Sequence, residues 1–202
     1  MSVAASAVGP GGEILGEEFF DRPPREVARD LIGCGLFHDG VGGTIVETEA
    51  YERDDPACHA FIGRTARTDV LFGPPGRAYV YLCYGIHRMF NVVTDADGTA
   101  AAVLVRALEP SAGVELMQRR RGGSRPLRDL CSGPGKICEA LAIDLGATYA
   151  DLREPPFELT PRSPDSPPPE IVAGPRIGIT KGVELPWRYC FAGSGFLSRP
   201  AG

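Results

Sequence analysis

The spacing of hydrophobic and polar positions predicts a chain of short β-hairpins with a few helices around them. Near the start, Val27, Ala28, Leu31 and Ile32 recur at helical spacing, and the helix is expected to end at Gly33. From residue 34 onward, short apolar or alternating runs are separated by turn residues such as Asp-Gly, a pattern typical of antiparallel strands. The strands predicted from these runs are 34–37, 43–51, 78–84, 89–94 and 101–107, with 171–180 and 187–192 closing the chain.

The remaining segments complete the predicted architecture. Residues 111–121 and 135–142 have helical patterns. Seven of the 19 prolines fall in residues 153–170, which is expected to be a surface loop without core contacts. Residues 1–14 are interpreted as a flexible N-terminal tail and 15–202 as one folded domain. Hairpins with helices to one side predict an α+β fold, a single domain whose curved β-sheet is largely antiparallel and has flanking helices.

Composition narrows the class of protein. Of the 202 residues, 43% are hydrophobic and 23% are charged, which suits one domain with a substantial core. No apolar run approaches the roughly 20 residues that span a membrane, so no membrane association is expected. The start of the chain lacks the charged and apolar regions of a signal peptide. Six irregularly spaced cysteines are therefore interpreted as reduced thiols of a cytoplasmic protein.

The net charge of −5 argues at first against a nucleic-acid partner, but the charge is unevenly distributed. Residues 1–59 carry four arginines and 12 acidic residues, whereas residues 60–136 carry 11 basic and six acidic ones. Residues 137–202 carry six basic and eight acidic residues. A local basic surface can attract a phosphate backbone despite an unfavourable total, although ordinary variation of surface charge fits the same numbers.

Two carboxylates and an arginine are candidates for catalysis. Glu47, Glu49 and Tyr51 alternate on one face of a predicted strand. A partly desolvated carboxylate there could act as a general base, while a solvated polar face is the alternative. Arg106 lies in the apolar run Val103–Leu108 and needs a carboxylate partner if it is buried, for which Glu49 is one candidate. A strand-edge arginine facing solvent fits the pattern equally well.

Aromatic residues cluster in the segment 79–84. Tyr79 and Tyr81 share one face of a predicted strand, and Tyr84 lies where that strand enters a glycine turn. A tyrosine that faces a pocket can stack on a base, and one at a turn can insert between base pairs. The alternative is a strand with aromatic side chains in the core.

Two short segments are candidates for ion binding. Cys58-His59 has no second histidine or cysteine at ligand spacing, so it is a poor metal site. The segment 132–136, Ser-Gly-Pro-Gly-Lys, places glycines and a lysine at a predicted helix start, which favours anion binding. Its spacing differs from a nucleotide-binding P-loop, and a DNA phosphate suits it better.

Taken together, these segments resemble the alkyladenine (3-methyladenine) DNA glycosylase family, in its bacterial form. The resemblance covers nearly the whole chain beyond roughly the first 15 residues, and the ordered set of motifs is far more specific than any one of them. The matching stretches are 28–33, 46–51, 55–59, 72–76, 79–81, 84–85, 91–93, 106–110 and 130–136.

The resemblance implies a role for each matched residue. Glu49 would be the general base for the attacking water, and Arg106 would help to position that carboxylate and the water. The residues implied to hold or select the flipped base are Tyr51, His59, Tyr81 and Asn91. Tyr84 would fill the space that the flipped nucleotide leaves. The other residues expected to contact DNA are Ile86, His87, Arg64, Arg67 and Lys136.

The implied activity is that of a monofunctional DNA glycosylase without metal or organic cofactor. It would hydrolyse the N-glycosidic bond of flipped alkylated purines and leave an abasic site. Its implied partner is double-stranded DNA with alkylated or deaminated purines, and the protein is expected to be a monomer, at times associated with the nucleoid. The preferred lesion among 3-methyladenine, 7-methylguanine, hypoxanthine and ethenoadenine stays open. The sequence departs from the family pattern at Thr68-Asp69 and Ile86-His87, which bears on DNA contacts.

Two other functions are alternatives to this glycosylase activity. The same tyrosines and basic residues would serve a non-catalytic nucleic-acid-binding domain, but the presence of Glu49 favours an enzyme. A metal-dependent hydrolase is disfavoured by the missing ligand cluster. The chain has only two lysines, Lys136 and Lys181, and neither is expected beside the pocket, so water rather than an amine is the predicted nucleophile.

Overall fold

The computed structural model describes residues 9–201 and confirms the α+β fold with a curved, antiparallel sheet. The α-helices are α1 (Glu17–Phe20), α2 (Pro24–Asp30), α3 (Val114–Arg120), α4 (Leu127–Leu130) and α5 (Pro134–Leu141). The strands are β1 (Gly35–His38), β2 (Val41–Tyr51), β3 (Ala78–Cys83), β4 (His87–Thr94), β5 (Ala101–Ala112), β6 (Phe157–Thr160), β7 (Ile171–Gly174) and β8 (Arg188–Phe191). Short 3-10 helices lie at His59–Ile62, Asp69–Phe72 and Leu145–Ala147.

Strand β2 is the centre of the sheet. The strands are ordered β3-β4-β5-β2-β1-β6, and β8 also pairs with β2 while β7 pairs with β8. The first half of β2 pairs with β1, and its second half, at Glu47–Glu49, pairs with β8. Strand β5 pairs with β2 along nearly its whole length. The second half of β2 therefore lies between β5 and β8, two strands that are distant from it in sequence.

Two irregularities interrupt the pairing of β2 with β5 next to the candidate carboxylates. Ile45 pairs with Leu108 and Glu47 with Ala107, so Val46 is an extra residue on β2. One position further, Arg106 is the extra residue on β5. The two extra residues offset each other, so the register is unchanged beyond them, and Arg106 contacts Glu47 at 3.0 Å from its unpaired position.

Two groups of buried residues support the sheet. The larger one packs α2 and α5 against the sheet and includes Phe90 and Phe157, whose rings stack 5.6 Å apart. The smaller one joins the two 3-10 helices of the segment 59–72 to β3, β4 and β5, and Tyr51 and Tyr81 pack against it. The aromatic side chains of the candidate site therefore rest on a core of their own.

The prediction for residues 153–170 is wrong in part. Residues 157–160 form β6, which pairs with β1, and Phe157 and Leu159 are fully buried. The prolines lie on both sides of this Phe-Glu-Leu-Thr run, so it can alternate core and solvent positions without losing ladder hydrogen bonds. The predicted strand 171–180 is too long, because β7 ends at Gly174.

Part of the predicted N-terminal tail, residues 1–8, lies outside the described residues. Within the rest of it, the Gly11 amide donates to the Glu158 carboxylate at 2.6 Å. Leu15, the first residue of the predicted domain, is buried and its amide donates to the carbonyl oxygen of Leu159. The chain thus joins the fold next to β6.

A pair of glycine substitutions tests the tight pairing of β2. A Cβ atom at Gly43 would lie 2.0 Å from the carbonyl oxygen of Glu109, whereas one at Gly174 would have no neighbour within 4 Å. We expect Gly43→Ala to lower the free energy of unfolding by about 1–3 kcal/mol or more, because the β2–β5 backbones must separate. Gly174→Ala should change it by less than about 0.5 kcal/mol. Equal urea midpoints for the two variants would contradict this account.

Candidate active site

Glu49 lies near the end of β2 and is fully buried. Its Oε1 accepts the backbone N–H of Ile177 at 2.7 Å, and its Oε2 accepts the Tyr51 hydroxyl at 2.8 Å and an Arg106 N–H at 3.2 Å. Burial and the neighbouring Glu49 carboxylate raise the pKa of the Tyr51 phenol, so that phenol stays protonated and donates. The expectation that Arg106 pairs with Glu49 is confirmed.

Each of the three guanidinium nitrogens of Arg106 has an acceptor. Nε donates to Glu47 Oε1 at 3.0 Å, Nη1 to Glu49, and Nη2 to the Ser198 hydroxyl at 3.4 Å. Desolvation opposes the charge of Arg106, but the Glu49 and Glu47 carboxylates more than offset it and raise the pKa of the guanidinium. Arg106 is therefore a fixed cation, and it also lines a cavity.

That cavity has a volume of about 980 Å³ and opens beside Tyr51, His59, Tyr81 and Asn91. Cationic side chains outnumber acidic ones in its lining, which suits a negatively charged ligand. The cationic residues are Arg67, Arg106, Arg121, Lys136 and Lys181. Glu139, which also lines the cavity, is paired with Arg121.

Aromatic rings form two walls of this cavity. His59 and Tyr81 meet edge to face with ring centroids 4.5 Å apart, and Tyr79 lies 5.4 Å from Tyr81. Tyr51, from the end of β2, is another lining residue. The guanidinium of Arg176 lies 4.7 Å from the centroid of the Tyr51 ring and is itself bound by Asp55. The Tyr51 ring is thus held in place by a buried ion pair.

His59 is uncharged at neutral pH. Burial, together with the nearby Arg67 cation, lowers its pKa to about 4. Nε2 is 3.4 Å from an Arg67 N–H, and Nδ1 is 2.9 Å from the Tyr79 hydroxyl. Since Arg67 can only donate, Nε2 is the acceptor, and the single ring proton is on Nδ1 and faces Tyr79.

Asn91 is a buried part of the wall. Its amide nitrogen donates to the backbone carbonyls of Tyr79 and Met89, at 3.1 and 3.2 Å. Both donors of the amide are therefore used, and its side chain is held in one orientation.

Tyr84 is at the tip of the hairpin that joins β3 to β4. Its φ is +51° and that of Gly85 is +71°, which closes the turn between Cys83 and His87. The side chains of Tyr84 and Ile86 are 87% and 71% exposed, and Tyr84 and His87 line the cavity. A large aromatic side chain projects from a short hairpin next to the pocket, as insertion into a base stack requires.

The predicted backbone-binding residues are in different surroundings. Arg64 is exposed but paired with Asp69 at 2.7 Å, and it does not line the cavity. Hydrogen bonds from Arg64 and Tyr149 lower the pKa of the Asp69 carboxyl. Arg67 lies over the Tyr81 ring at 5.2 Å, next to the base-binding walls rather than away from them. Lys136 donates to the Ser132 hydroxyl at 3.0 Å at the start of α5.

The expected position of the lysines is wrong. Lys136 and Lys181 both line the cavity with the aromatic residues. The segment 177–181 follows β7 as an irregular loop that turns across the end of β2, and the Ile177 contact to Glu49 places it there. The position of the lysines therefore does not exclude an amine nucleophile.

Several residues of the site were missed from the sequence. These are Asp55, Arg176, Arg188, Ser198 and the segment 177–181. Arg176 and Arg188 are arginines within or beside predicted strands, as Arg106 is, and the requirement for a carboxylate partner could have flagged them. Ser198 carries no comparable signal.

The described residues contain neither a cluster suited to a metal ion nor a helix suited to a membrane. Among residues 9–201, no group of three or more His, Cys, Asp or Glu side chains is arranged to hold a metal ion. Over the same residues, no helix has the length and apolar character needed to cross a membrane.

Comparisons with known proteins show the family of this chain. A family model for methylpurine-DNA glycosylases matches residues 18–195. A protein of Rhodopseudomonas palustris (strain HaA2) is 52% identical over 202 residues, which cover 99% of this chain and 98% of its own. One of Bradyrhizobium diazoefficiens is 53% identical over 189 residues, covering 94% and 92%. One of Nitrosospira multiformis is 54% identical over 175 residues, covering 87% and 89%. Each bears the name "Putative 3-methyladenine DNA glycosylase".

The chain therefore belongs to the methylpurine-DNA glycosylase family. Its class is that of a DNA glycosylase, a hydrolase of base excision repair whose partner is DNA.

The titration of His59 tests the electrostatics of the cavity. We expect its imidazole to titrate near 4 and Arg67→Met to raise that value, because the loss of a nearby positive charge favours the imidazolium. Since the unfolded state takes up this proton near 6.5, His59 should make stability fall as the pH drops from about 6.5 toward 4. NMR of the ring protons measures the midpoint, with exposed Arg128→Met as control. A midpoint near 6.5 in the folded protein would contradict this assignment.

Proposed function

We propose that this protein excises alkylated or deaminated purines, with 3-methyladenine and related methylated bases as the central substrates, by hydrolysis of the N-glycosidic bond. The observation that carries the proposal is the link between Glu49 and the cavity. A fully buried carboxylate is hydrogen-bonded to Tyr51 and Arg106, and both of these side chains line a cavity with aromatic walls. A carboxylate that can serve as a general base thus lies behind a pocket with aromatic walls.

Access to the bond requires the nucleotide to leave the duplex, and Tyr84 is suited to stabilise that state. Extrusion costs a few kcal/mol, and least for a damaged or mispaired base. Tyr84 stands at the hairpin tip next to the cavity and can occupy the gap in the stack. The cationic lining draws in the phosphates that flank the flipped nucleotide, with Lys136 and Arg67 nearest to the pocket and Arg64 on the outer surface.

The aromatic walls favour the bases of this substrate class. A purine methylated at N3 or N7 carries positive charge, which strengthens stacking on tyrosine rings and weakens its bond to the sugar. Tyr51 would stack on one face of the base, and the His59–Tyr81 pair on the other. An imidazole with a pKa of about 4 stays neutral and does not repel such a cation. The immobilised Asn91 side chain would exclude normal bases by shape.

Water is the proposed nucleophile. Glu49 Oε1 accepts one N–H, from Ile177, among the described residues, so a lone pair remains for a water at the cavity edge. The carboxylate would take a proton from this water as it attacks C1′, and its charge would stabilise the oxocarbenium character of the sugar. Arg106, which touches both Glu49 and the cavity, would orient the water and the carboxylate.

The DNA substrate bears on where the protein acts and in what oligomeric state. We propose a monomer that acts in the cytoplasm on double-stranded DNA, with its residues 15–202 forming the glycosylase domain. The contribution of segments 52–77 and 175–187 to the same cavity supports their inclusion in this domain.

Glu49→Gln tests the general base. The amide keeps the shape of the side chain but cannot take a proton from water, and such a loss lowers rates by about 10²- to 10⁴-fold. We expect single-turnover excision of 3-methyladenine to fall by this factor while affinity for lesion-bearing duplex stays within a few-fold. Exposed Glu170→Gln serves as the control and should excise at the rate of the unsubstituted protein.

Two outcomes would overturn parts of this assignment. Near-normal excision by Glu49→Gln would remove Glu49 from the mechanism, and binding without any excision by the unsubstituted protein would leave a non-catalytic DNA-binding domain. Because Lys136 and Lys181 line the cavity, borohydride reduction during turnover should also be carried out. Covalent trapping of protein on DNA would show a Schiff base and contradict the water mechanism.

Tyr84→Ser separates flipping from chemistry. The variant should lose excision mainly because the extruded state is less populated, so the loss should be larger for a well-paired lesion than for the same lesion in a mismatch. Single-turnover rates in both contexts measure this, with Tyr149→Ser as a control tyrosine that is exposed but outside the cavity. Equal losses in the two contexts would place the inserted side chain elsewhere, with exposed Ile86 as the next candidate.

A further inference from the structure

Glu47 is bound more extensively than Glu49, and neither carboxylate lines the cavity. It is fully buried, and four donors converge on its two oxygens. Oε1 accepts from Arg106 Nε at 3.0 Å, from Arg188 Nε at 2.8 Å and from the Ser198 hydroxyl at 2.7 Å. Oε2 accepts the backbone N–H of Ser198 at 2.6 Å.

These contacts join the part of β2 that carries Glu47 and Glu49 to the segment Ser198–Pro200, which lies far along the chain. Ser198 donates twice to Glu47 and its hydroxyl also accepts from Arg106 Nη2. Arg188 donates to the carbonyl oxygens of Arg199 and Pro200, at 2.6 and 3.3 Å. The segment Ser198–Pro200 is therefore fastened to β2 and β8 by the same buried charges that hold Arg106.

The hydrogen bonds of Arg106 indicate that Glu47 helps to orient its guanidinium group. A guanidinium has five N–H groups, and three of them go to Glu47, Glu49 and Ser198. Among residues 9–201, one N–H on Nη1 and one on Nη2 have no acceptor, and Arg106 lines the cavity. Glu47 accepts from Nε and Ser198 accepts from Nη2, and together these two contacts fix the plane of the guanidinium. A hydrogen bond to Glu49 alone would leave that plane free to rotate.

We propose that Glu47 and Ser198 are positioning residues for excision, which orient Arg106 toward the reacting water and sugar and hold it apart from full pairing with Glu49. The proposal rests on the proposed function of Glu49 and Arg106. Neither Glu47 nor Ser198 lines the cavity. The segment around Ser198 thereby supports the active site, although Ser198 does not line the cavity.

Glu47→Gln is the direct test. All four contacts to Glu47 are donors, so the amide nitrogen of glutamine faces a donor whichever oxygen it replaces. We expect the single-turnover excision rate to fall about 10- to 100-fold, the effect of a lost charged hydrogen bond, while the Kd for lesion duplex changes less than about twofold. Glu170→Gln is the matched control.

Ser198 supplies variants that are milder for the fold. Ser198→Ala removes the hydroxyl bridge between Glu47 and Arg106 and should lower the excision rate about 3- to 10-fold. Ser198→Thr keeps the hydroxyl and should restore the rate. Exposed Ser124→Ala should have no effect. Urea midpoints for all variants show whether each is fully folded under assay conditions.

The outcomes separate this proposal from its premise. Folded Glu47→Gln and Ser198→Ala variants with unchanged rates would overturn it, as would a Ser198→Thr variant that is no better than Ser198→Ala. A loss of affinity in step with the rate would show a purely structural role and also overturn it. If Glu47→Gln does not fold, the serine pair decides. Absence of any excision by the unsubstituted protein would refute the proposed function instead.

Discussion

Two carboxylates and two arginines are buried together where β2, β5 and β8 meet, and the rest of the site depends on this arrangement. Glu47, Glu49, Arg106 and Arg188 have little or no exposure, and their formal charges cancel. Removing one member of such a group leaves an uncompensated buried charge, at a cost of about 3–5 kcal/mol. The network therefore requires β8 and the segment after it to close against β2, and the chain brings residues separated by about 150 positions into contact.

The irregular pairing of β2 with β5 lies at the same network. The extra residues Val46 and Arg106 are on opposite strands and offset each other, so the register is the same before and after them. Arg106 is the unpaired residue of β5 at this point, and its side chain contacts both Glu47 and Glu49. Beyond this point, β2 continues to Tyr51, which carries the aromatic wall, and a second buried pair, Asp55 with Arg176, fixes that ring. Ionic contacts thus position the proposed catalytic groups, whereas hydrophobic packing supports the rest of the sheet.

Much of the fold could be predicted from the sequence, because the hairpins at 34–51 and 78–94 show their strands and turns locally. The pairing of Arg106 with Glu49 was also predictable, since an arginine in an apolar run needs a carboxylate. Strand β6 was hidden by flanking prolines, although Phe157 and Leu159 alternate as in any edge strand. The positions of Lys181 and Ser198 depend on how distant segments fold back on β2, and no local pattern encodes such contacts. For that reason the predicted position of the lysines was wrong, whereas the predicted pairing of Arg106 with Glu49 was confirmed.

The central claim is that the carboxylate behind the aromatic pocket makes this protein a hydrolase of damaged purine nucleotides. The most direct measurement is to incubate dimethyl sulfate-treated duplex DNA with the protein in the presence of a chelator, and to quantify free bases and abasic sites by mass spectrometry. The account predicts release of 3-methyladenine far above the spontaneous rate, with one abasic site formed for each base released. DNA that is bound but keeps its methylated bases, or that loses normal purines at the same rate, would contradict it.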